Sequence, residues 1–270
     1  METTATPKLD FTAVAMTFNL RRATWVDGRN AWRYRKRSAA AAIVAADADV
    51  VGTQEGSRAM IQELSALLPG YAWLGEGRRG GELDETNAIL YRADRWTPEA
   101  SGTFWLSEVP ERAGSRAWGA AFPRICTWAV LRSTSNADVR WAVANTHLDH
   151  ISAPARRRGI ALVAERALEI AQGEPIVVTG DFNAKPDSEV AGLLQAQGWR
   201  NAFEDASGGA LQAGATFHGF RGGGERGRPI DYIYYRGFAA ERVEVAVDRS
   251  RYEGRYPSDH YPVYARFRWT

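Results

Sequence analysis

The chain contains little sulfur and little net charge. Its 270 residues include a single cysteine, Cys126, which excludes an intramolecular disulfide and a zinc site of the CxxC type. Cys126 lies in an apolar, strand-like segment, and this favours a small buried side chain over a nucleophile. The formal net charge is only +2, which argues against a protein that neutralises many phosphates along a nucleic-acid duplex. A short or small phosphate ester remains compatible with this charge.

Long apolar runs and a leader pattern are also missing. No apolar segment approaches ~20 residues, so no membrane span is expected. Residues 1–8 lack a basic stretch followed by an apolar one, and we therefore expect a cytoplasmic location. With 45% hydrophobic and 24% charged residues, the composition is that of an ordinary globular protein. Because no linker divides the chain, we expect one domain over residues 1–270.

The most informative stretch is 176–184, an apolar run that stops at a glycine and is followed by an acid and an amide. The run is rich in β-branched residues and predicts a buried strand. Side chains alternate along extended chain, so Asp181 and Asn183 should point the same way while Phe182 points inward. Strand ends of α/β sheets are where ligands bind. The alternative is that Gly180-Asp181-Phe182-Asn183 forms only the turn that ends a strand.

The remaining patterns alternate between strands and helices, which is typical of an α/β protein. Helices are predicted at 32–46, 57–68, 154–171 and 188–197, with a loop at 25–30. Strands are predicted at 11–19, 49–54, 71–75, 87–91, 104–106, 124–131, 139–146, 229–235, 243–247 and 262–267. Polar residues stand at the ends of many of these strands: Asn19, Glu55, His147, Asp149, Asp181, Asn183, Asp231, Asp259 and His260.

Such polar strand ends point to a metal-dependent site. Charged and amide groups at apolar strand ends are costly unless they are paired or bound to a ligand. A hard divalent cation takes oxygen ligands of this kind, and Mg²⁺ uses only one or two carboxylates. Of the four histidines, His147 and His260 lie at strand ends beside acids. Asp259 could orient the imidazole of His260, but neighbours in sequence usually diverge, so Asp231 is an alternative.

Six segments in order along the chain resemble the endonuclease/exonuclease/phosphatase superfamily. They are Thr17-Phe18-Asn19-Leu20-Arg21, Gly52-Thr53-Gln54-Glu55, Asn145-Thr146-His147-Leu148-Asp149, Gly180-Asp181-Phe182-Asn183, Ile230-Asp231-Tyr232 and Ser258-Asp259-His260. Residues 102–107 and 123–128 resemble a bacterial branch akin to the deadenylases and other phosphodiesterases. The resemblance implies an α/β fold, a four-layer α/β sandwich in which two packed mixed β-sheets are flanked by helices.

The resemblance also implies a cofactor. Glu55 would be the principal ligand of a Mg²⁺ or Mn²⁺ ion, with Asn19 close by and Asp259 contributing to the same region. These are oxygen ligands, as such cations require.

The same resemblance implies catalytic roles. His260 would be the general base that activates water, oriented by Asp181 or Asp231. Asn183 and His147 would donate hydrogen bonds to the phosphoryl oxygens. Phosphoryl transfer needs charge neutralisation and in-line positioning more than covalent chemistry, and this set of residues meets that need.

Four further residues are expected to contact substrate: Arg124, Asp149, Glu85 and His218. Glu85 stands where nuclease branches of the family often carry a tyrosine, and this departure favours the deadenylase-like side over a duplex nuclease. Arg124 lies on a strand where the family has an arginine, although a surface charge is the plainer interpretation. The loop 218–228 either covers the site or is an ordinary surface loop.

These expectations combine into a leading hypothesis and two alternatives. The leading hypothesis is a divalent-metal-dependent phosphodiesterase or nuclease that acts on single-stranded nucleic-acid ends or small phosphodiesters. The first alternative is a phosphomonoesterase on a sugar or nucleotide phosphate. The second is a catalytically silent binding scaffold, which the intact motif residues disfavour. We expect a monomer with no obligate protein partner and no contact with a membrane.

Overall fold

The computed structural model describes residues 11–205, 213–239 and 243–269, so the N-terminal segment 1–8 lies outside the described residues. The strands are β1 (Thr12–Asn19), β2 (Val50–Gln54), β3 (Gly56–Ser57), β4 (Tyr71–Leu74), β5 (Glu85–Thr86), β6 (Ile89–Arg92), β7 (Trp96–Trp105), β8 (Ile125–Ser133), β9 (Arg140–His147), β10 (Ile176–Asp181), β11 (Arg200–Asn201), β12 (Asp231–Arg236), β13 (Val243–Val247) and β14 (Val263–Arg268). The helices are α1 (Trp32–Ala45), α2 (Arg58–Ala66), α3 (Ala153–Ala171), α4 (Glu189–Ala196) and α5 (Ala202–Asp205), with a 3-10 helix at Trp25–Asn30.

Two mixed sheets form the centre of the molecule. The first has the strand order β13-β14-β1-β2-β6-β4, and the second has the order β11-β12-β10-β9-β8-β7. Within each sheet one pair is parallel, β1 with β2 and β9 with β10, and the other pairs are antiparallel. The predicted fold class is confirmed: the sheets pack face to face and helices cover their outer faces.

Strand β1 shows how the four layers arise from sequence. Its residues alternate between two buried surfaces, because successive side chains of a strand point to opposite faces. Ala13 and Ala15 pack in the core between the two sheets. Val14, Met16 and Phe18 pack instead against α1 and α2. A strand buried on both faces explains why its apolar run is nearly continuous.

A layer of buried polar groups joins the two sheets beneath their shared edge. Asn145 of β9 donates its side-chain amide to the carbonyl oxygens of Thr53, at 2.8 Å, and Ala88, at 3.1 Å. Its Oδ1 accepts hydrogen bonds from Gln54 Nε2, at 2.7 Å, and from Thr179 Oγ1, at 3.1 Å. Gly52 lies at a close approach of the two sheets, since an added Cβ would stand 2.1 Å from Thr179 Oγ1. The polar layer therefore fixes the position of one sheet on the other.

Some elements differ from the sequence prediction. The apolar piece predicted at 104–106 is the end of a ten-residue edge strand, β7, whose first part contains Pro98 and a register shift between Pro98 and Ala100. Proline and bulges are tolerated at sheet edges, where one side of the strand needs no ladder hydrogen bonds. The segment predicted as a loop at 25–30 is a 3-10 helix. None of the described helices is long and apolar enough to cross a membrane.

Candidate active site

Strand directions bring the polar strand ends to one edge of the molecule. Asn19 ends β1 beside Gln54 of the parallel strand β2, and His147 ends β9 beside Asp181 of the parallel strand β10. Antiparallel β12 starts at that edge, and its Asp231 stands opposite Asp181. Carboxyl ends of parallel strands meet at one edge, and an antiparallel neighbour begins there. A cleft of about 510 Å³ opens at this edge between the two sheets.

His260 and Asp231 form a buried hydrogen-bonded pair. His260 Nδ1 lies 2.9 Å from Asp231 Oδ2, and both side chains are almost inaccessible to solvent. Because a carboxylate only accepts, Nδ1 carries the hydrogen and Nε2 is the free nitrogen, 3.9 Å from Asp181 Oδ2. Burial opposes the charged imidazolium, but the charge and hydrogen bond of Asp231, with Asp181 and Asp259, outweigh it and raise the pKa of His260 to about 10. The pair therefore favours a proton on the imidazole.

Asp181 and Asn183 both line the cleft. A turn after Asp181 brings them there, whereas the sequence predicted extended chain. Strand β10 ends at Asp181, and Asn183 adopts a left-handed backbone with φ 47°. Asn183 donates its backbone N–H to Asp181 Oδ1 at 2.9 Å. Asparagine tolerates this conformation better than most residues, which explains an amide at this position. Phe182 between them is fully buried, as predicted.

Glu55, Asn19 and Asp259 lie on the side of the cleft formed by the first sheet. Glu55 has φ 61°, a strained conformation for glutamate, and its carboxylate accepts hydrogen bonds from Asn19 Nδ2 and from the backbone N–H of Arg22, each at 3.1 Å. Burial raises the pKa of Asp259, and Arg21 Nε lies 3.7 Å from its Oδ2. Oxygen donors at the edge of a cleft suit a hard divalent cation. The residues present therefore fit the Mg²⁺ or Mn²⁺ ion that the family resemblance implies.

A second group of potential ligands overlaps the histidine pair. Asp181, Asp231 and His260 are buried and offer donor atoms that all lie within 4.8 Å of one another. Two of these three groups already satisfy each other through the Nδ1 hydrogen bond. Asp181 connects this group with Asn19 and Glu55, since its Oδ2 accepts a hydrogen bond from Asn19 Nδ2 at 3.0 Å.

Glu85 lies in the floor of the site next to His147. Its Oε1 is 2.7 Å from His147 Nδ1, and its Oε2 accepts a hydrogen bond from Arg78 at 2.7 Å. Burial opposes the charge of Glu85, but His147, Arg124 and Arg78 outweigh it and hold the pKa of this carboxyl well below its usual range. The short ladder of β3 with β5 places Glu85 beside Glu55, and strands of two residues leave no pattern in a sequence.

Arg124 lines the cleft and is almost fully buried. Its Nη2 lies 3.0 Å from His150 Nδ1, and its Nε is 3.5 Å from Asp149 Oδ2. Its Nη1 is buried without a hydrogen-bond partner among the described residues. Asp149 does not line the cleft. Its carboxylate accepts backbone N–H groups that include those of Ala121, at 2.9 Å, and Ser152, at 2.7 Å, and so braces the loop behind Arg124.

The loop that contains His218 contributes Phe217 to the cleft instead of the histidine. The ring centroids of Phe217 and His260 are 5.0 Å apart. His218 stacks on Tyr261 at 3.9 Å, away from the cleft lining, and burial lowers the pKa of His218 to about 4. Of the two alternatives for this loop, the structure shows contact with the site through Phe217, whereas His218, expected to contact substrate, does not line the cleft.

Several lining residues were not singled out from the sequence as site residues. They are Arg21, Arg22, Arg78, Phe122, His150 and Phe217. Arg21 and Arg22 directly follow a motif, and Arg78 lies in a Gly- and Arg-rich loop, so a weak signal existed for them. Phe122 stacks with His150, and the guanidinium of Arg78 lies 4.6 Å from the Phe122 ring centroid. Such cross-loop contacts have no sequence pattern.

A buried arginine ties the loops of the first sheet together. Arg35 is 1% exposed and donates to the carbonyl oxygens of Leu20 and Pro257 at 2.8 Å and of Arg21 at 3.0 Å. Burial lowers the pKa of Arg35 to about 10, so it stays charged at neutral pH. The loop after Asn19 is thereby joined to the loop before Ser258-Asp259-His260.

Comparison with known proteins agrees with this geometry. The profile of the endonuclease/exonuclease/phosphatase family matches residues 16–260. The chain belongs to this family. The family resemblance predicted from the motifs is thus confirmed, and the fold is that of a phosphoester hydrolase. No protein among the curated sequences matches the chain.

Solved structures of this family from Bacteroides species are similar over almost their whole length. A protein from Bacteroides vulgatus is 31% identical, with a TM-score of 0.87 over 96% of this chain and 100% of that one. A protein from Bacteroides thetaiotaomicron is 28% identical, with a TM-score of 0.88 over 97% and 99%. The mannosyl-6-phosphatase of Bacteroides thetaiotaomicron is 29% identical, with a TM-score of 0.85 over 94% and 98%.

Proposed function

We propose that this member of the endonuclease/exonuclease/phosphatase family is a divalent-metal-dependent phosphodiesterase that acts on single-stranded nucleic-acid ends or small phosphodiesters. The observation that carries the proposal is the buried pair of His260 and Asp231, which lines a cleft together with Glu55. A proton acceptor and an oxygen-donor site on one cleft are the two components that metal-assisted hydrolysis requires.

The carboxylate of Glu55, with Asn19 and Asp259, would hold the Mg²⁺ or Mn²⁺ ion. When bound, the cation supplies positive charge that stabilises the phosphoryl oxygens as negative charge develops on them. Glu55 is kept in place for this role by its hydrogen bonds to Asn19 Nδ2 and the Arg22 N–H.

The protein's own residues position the water and the ester. The neutral form of His260 accepts a proton from the attacking water at Nε2, and Asp231 holds the ring and stabilises its positive charge. A cation held by Glu55 and Asp259 would offset the carboxylate charge that raises the pKa of His260, and so would favour this neutral form. Asn183 uses one amide hydrogen on the Leu148 carbonyl, at 3.1 Å, and offers the other to a phosphoryl oxygen. His147, fixed at Nδ1 by Glu85, presents Nε2 to the same group.

Arginines on the cleft supply further positive charge for the ester. Arg124 has one nitrogen, Nη1, that is free to bind a phosphoryl oxygen, and Asp149 positions Arg124 from behind. Arg78 and Arg22 line neighbouring parts of the cleft. A cluster of arginines around one phosphoryl site also suits the dianion of a phosphomonoester.

A phosphomonoesterase that acts on a sugar phosphate is therefore the second candidate. It is supported by the arginine cluster and by the similarity to a mannosyl-6-phosphatase over almost the whole chain. A silent scaffold is not favoured, because His260, Asp181, Asn183 and Glu55 all stand on one cleft.

A panel of phosphate esters tests the proposal. Purified protein would be assayed with bis-p-nitrophenyl phosphate, p-nitrophenyl phosphate, mannose 6-phosphate and a short single-stranded oligonucleotide, each with Mg²⁺, with Mn²⁺ and after exhaustive chelation. We expect diester turnover that needs the cation. Turnover of monoesters alone would establish the second candidate. Full turnover after chelation would refute the metal dependence.

A further inference from the structure

A second depression lies beside the catalytic cleft on the side of the 3-10 helix. It has a volume of about 690 Å³, and we call it the Trp25 groove after the most exposed of its aromatic lining residues. The side chains that define it are Trp25, Arg29, Trp32, Arg33, Tyr34 and Arg255. Trp25 is 88% exposed and Tyr34 is 45% exposed. Large aromatic rings that open to solvent in one concave surface are typical of a binding site.

The exposure of Trp25 has no structural explanation within the fold. No residue of the 3-10 helix Trp25–Asn30 is buried. The neighbouring Val26 is 61% exposed, so the turn that carries Trp25 contributes little to the core. The helix is nevertheless fixed in position. Asp27 accepts hydrogen bonds from Arg21 Nε, at 3.1 Å, and Nη2, at 3.0 Å.

The other end of the groove is fixed as well. Arg255 donates from Nη1 to the carbonyl oxygen of Arg29 at 3.0 Å, and the buried Arg35 donates to the carbonyl oxygen of Asn30. The aromatic surface is thus held before any ligand arrives, which lowers the entropy cost of binding.

The charge of the groove is positive. No carboxylate of the described residues lies within salt-bridge distance of Arg29, Arg33 or Arg255. The one acid in the lining, Glu63, accepts a hydrogen bond from Trp32 Nε1 at 2.8 Å and lies 3.4 Å from Lys36 Nζ. Its charge is therefore already compensated, and the groove is left with an excess of cations.

The groove is continuous with the catalytic cleft. Ala23 lines the Trp25 groove and also an adjoining depression next to Glu55, and Arg22 lines that depression and the cleft. A chain whose scissile phosphate lies in the cleft can pass over Arg22 and Ala23 to reach Trp25.

We propose that the Trp25 groove is an extended subsite for single-stranded nucleic acid. An unpaired base stacks on the indole of Trp25, and Arg33 and Arg255 contact the adjacent backbone phosphates. Exposed aromatic rings with interleaved arginines are how single strands are bound without sequence preference, whereas a duplex keeps its bases paired and offers none for stacking. The inference rests on the proposed diesterase function, because it assumes that the strand continues into the cleft.

Binding measurements separate this inference from the function. The full chain carrying His260→Ala would be titrated into a fluorescein-labelled oligothymidylate at fixed moderate salt, with anisotropy as the readout. Adding Trp25→Ala should weaken binding on the order of 10-fold, the loss of one stacked base. Trp25→Phe should restore most of the affinity, and Trp25→Leu, which keeps apolar bulk without an aromatic face, should not.

The phosphate contacts are tested by salt dependence. Arg33→Gln with Arg255→Gln should reduce the slope of log Kd against log salt by about 1.4, since single strands release roughly 0.7 counterions per neutralised phosphate and two phosphate contacts are removed. Arg132→Gln, at the far end of β8 from the cleft, is the matched control and should leave the slope unchanged.

Each outcome has one meaning. Equal affinity of the Trp25→Ala and Trp25 proteins for the oligonucleotide would overturn the inference, even if diesters are hydrolysed. Trp25-dependent binding of a neutral oligosaccharide without binding of the oligonucleotide would also overturn it and would identify a sugar-binding groove. Oligonucleotide binding that depends on Trp25 would support the inference. If the wild-type chain binds in this way but hydrolyses no diester, only the proposed function is refuted.

Discussion

At the scale of single residues, two of the three histidines that line the cleft, His260 and His150, have different partners and should have different roles. His260 is bound to a carboxylate and keeps Nε2 free, whereas His150 lies 3.0 Å from the guanidinium of Arg124 and stacks with Phe122. Burial and the positive charge of Arg124 lower the pKa of His150. His150 therefore lines the cleft with its Nδ1 beside a guanidinium, where His260 has a carboxylate.

His260→Ala should lower kcat far more than it raises KM, because a general base acts in the transition state. The expected loss of rate is on the order of 10²–10⁴. His150→Ala, measured in parallel on the same diester, should be much milder and should act mainly on KM. Equal losses of kcat in the two variants would show that this division of roles is wrong.

The residues that the sequence could identify are those that sit at strand ends in fixed motifs. Glu55, His147 and His260 carry such patterns, and all three line the cleft. Arg78 and Phe122 were not predicted as site residues, because they reach the cleft from loops. The paths of these loops depend on tertiary contacts, such as the one between the Arg78 and Phe122 side chains. A loop residue has no periodicity, so its position follows only from the folded structure.

At the scale of elements, the buried amide of Asn145 joins the two sheets through four hydrogen bonds. Asn145→Ala would remove four buried hydrogen bonds, to the carbonyl oxygens of Thr53 and Ala88 and from the side chains of Gln54 and Thr179. The Ala88 oxygen, Gln54 Nε2 and Thr179 Oγ1 keep other partners. Each lost hydrogen bond costs about 1 kcal/mol net, and a buried group left unsatisfied costs about 1–3 kcal/mol.

We therefore expect Asn145→Ala to lower the free energy of unfolding by about 3 kcal/mol or more, measured by urea denaturation monitored by circular dichroism. Asn136→Ala is the control. Asn136 is partly exposed in the turn between β8 and β9, where its Oδ1 accepts only the Asp138 N–H, and the expected change is within about 1 kcal/mol. A loss in Asn145→Ala no larger than that of the control would contradict the role of the polar layer.

Elements with one strong period were predictable, and those with mixed surroundings were not. The long helix α3 was predictable because one face of it is buried, and the central strand β10 was predictable because both of its faces are buried. The first half of β7 has exposed and half-buried residues at an edge, and β3 and β5 are two residues long. Such strands form because adjacent strands supply their hydrogen-bond partners, and the local sequence pattern carries no information about those partners.

At the scale of the whole molecule, positive charge is concentrated in one region although the protein as a whole is nearly neutral. The net charge is only +2, yet arginines gather along the groove and the cleft. Those of the groove, Arg29, Arg33 and Arg255, have no carboxylate within salt-bridge distance among the described residues. A local cluster can hold one or two phosphates, whereas a duplex needs a long basic stripe.

Hydrolysis of a short single strand should therefore exceed that of a duplex of the same sequence at fixed moderate salt. The measurement is the initial rate on each substrate over a range of concentrations, so that kcat/KM is compared. Raising the salt should reduce both rates, because the attraction is screened. A clear preference for the duplex would contradict this prediction and would place the activity with the repair-type nucleases.

The meeting of both sheets at one cleft has a consequence for the cell during synthesis of the protein. Asn19 and Glu55 emerge early from the ribosome, but Asp231, Asp259 and His260 are the last of the site residues to be translated. On the proposed function, a growing chain thus carries Asn19 and Glu55 for most of its synthesis without the base that activates water. A nuclease of this kind, made beside messenger and transfer RNA, would be unable to cut them until translation and folding bring His260 into the cleft.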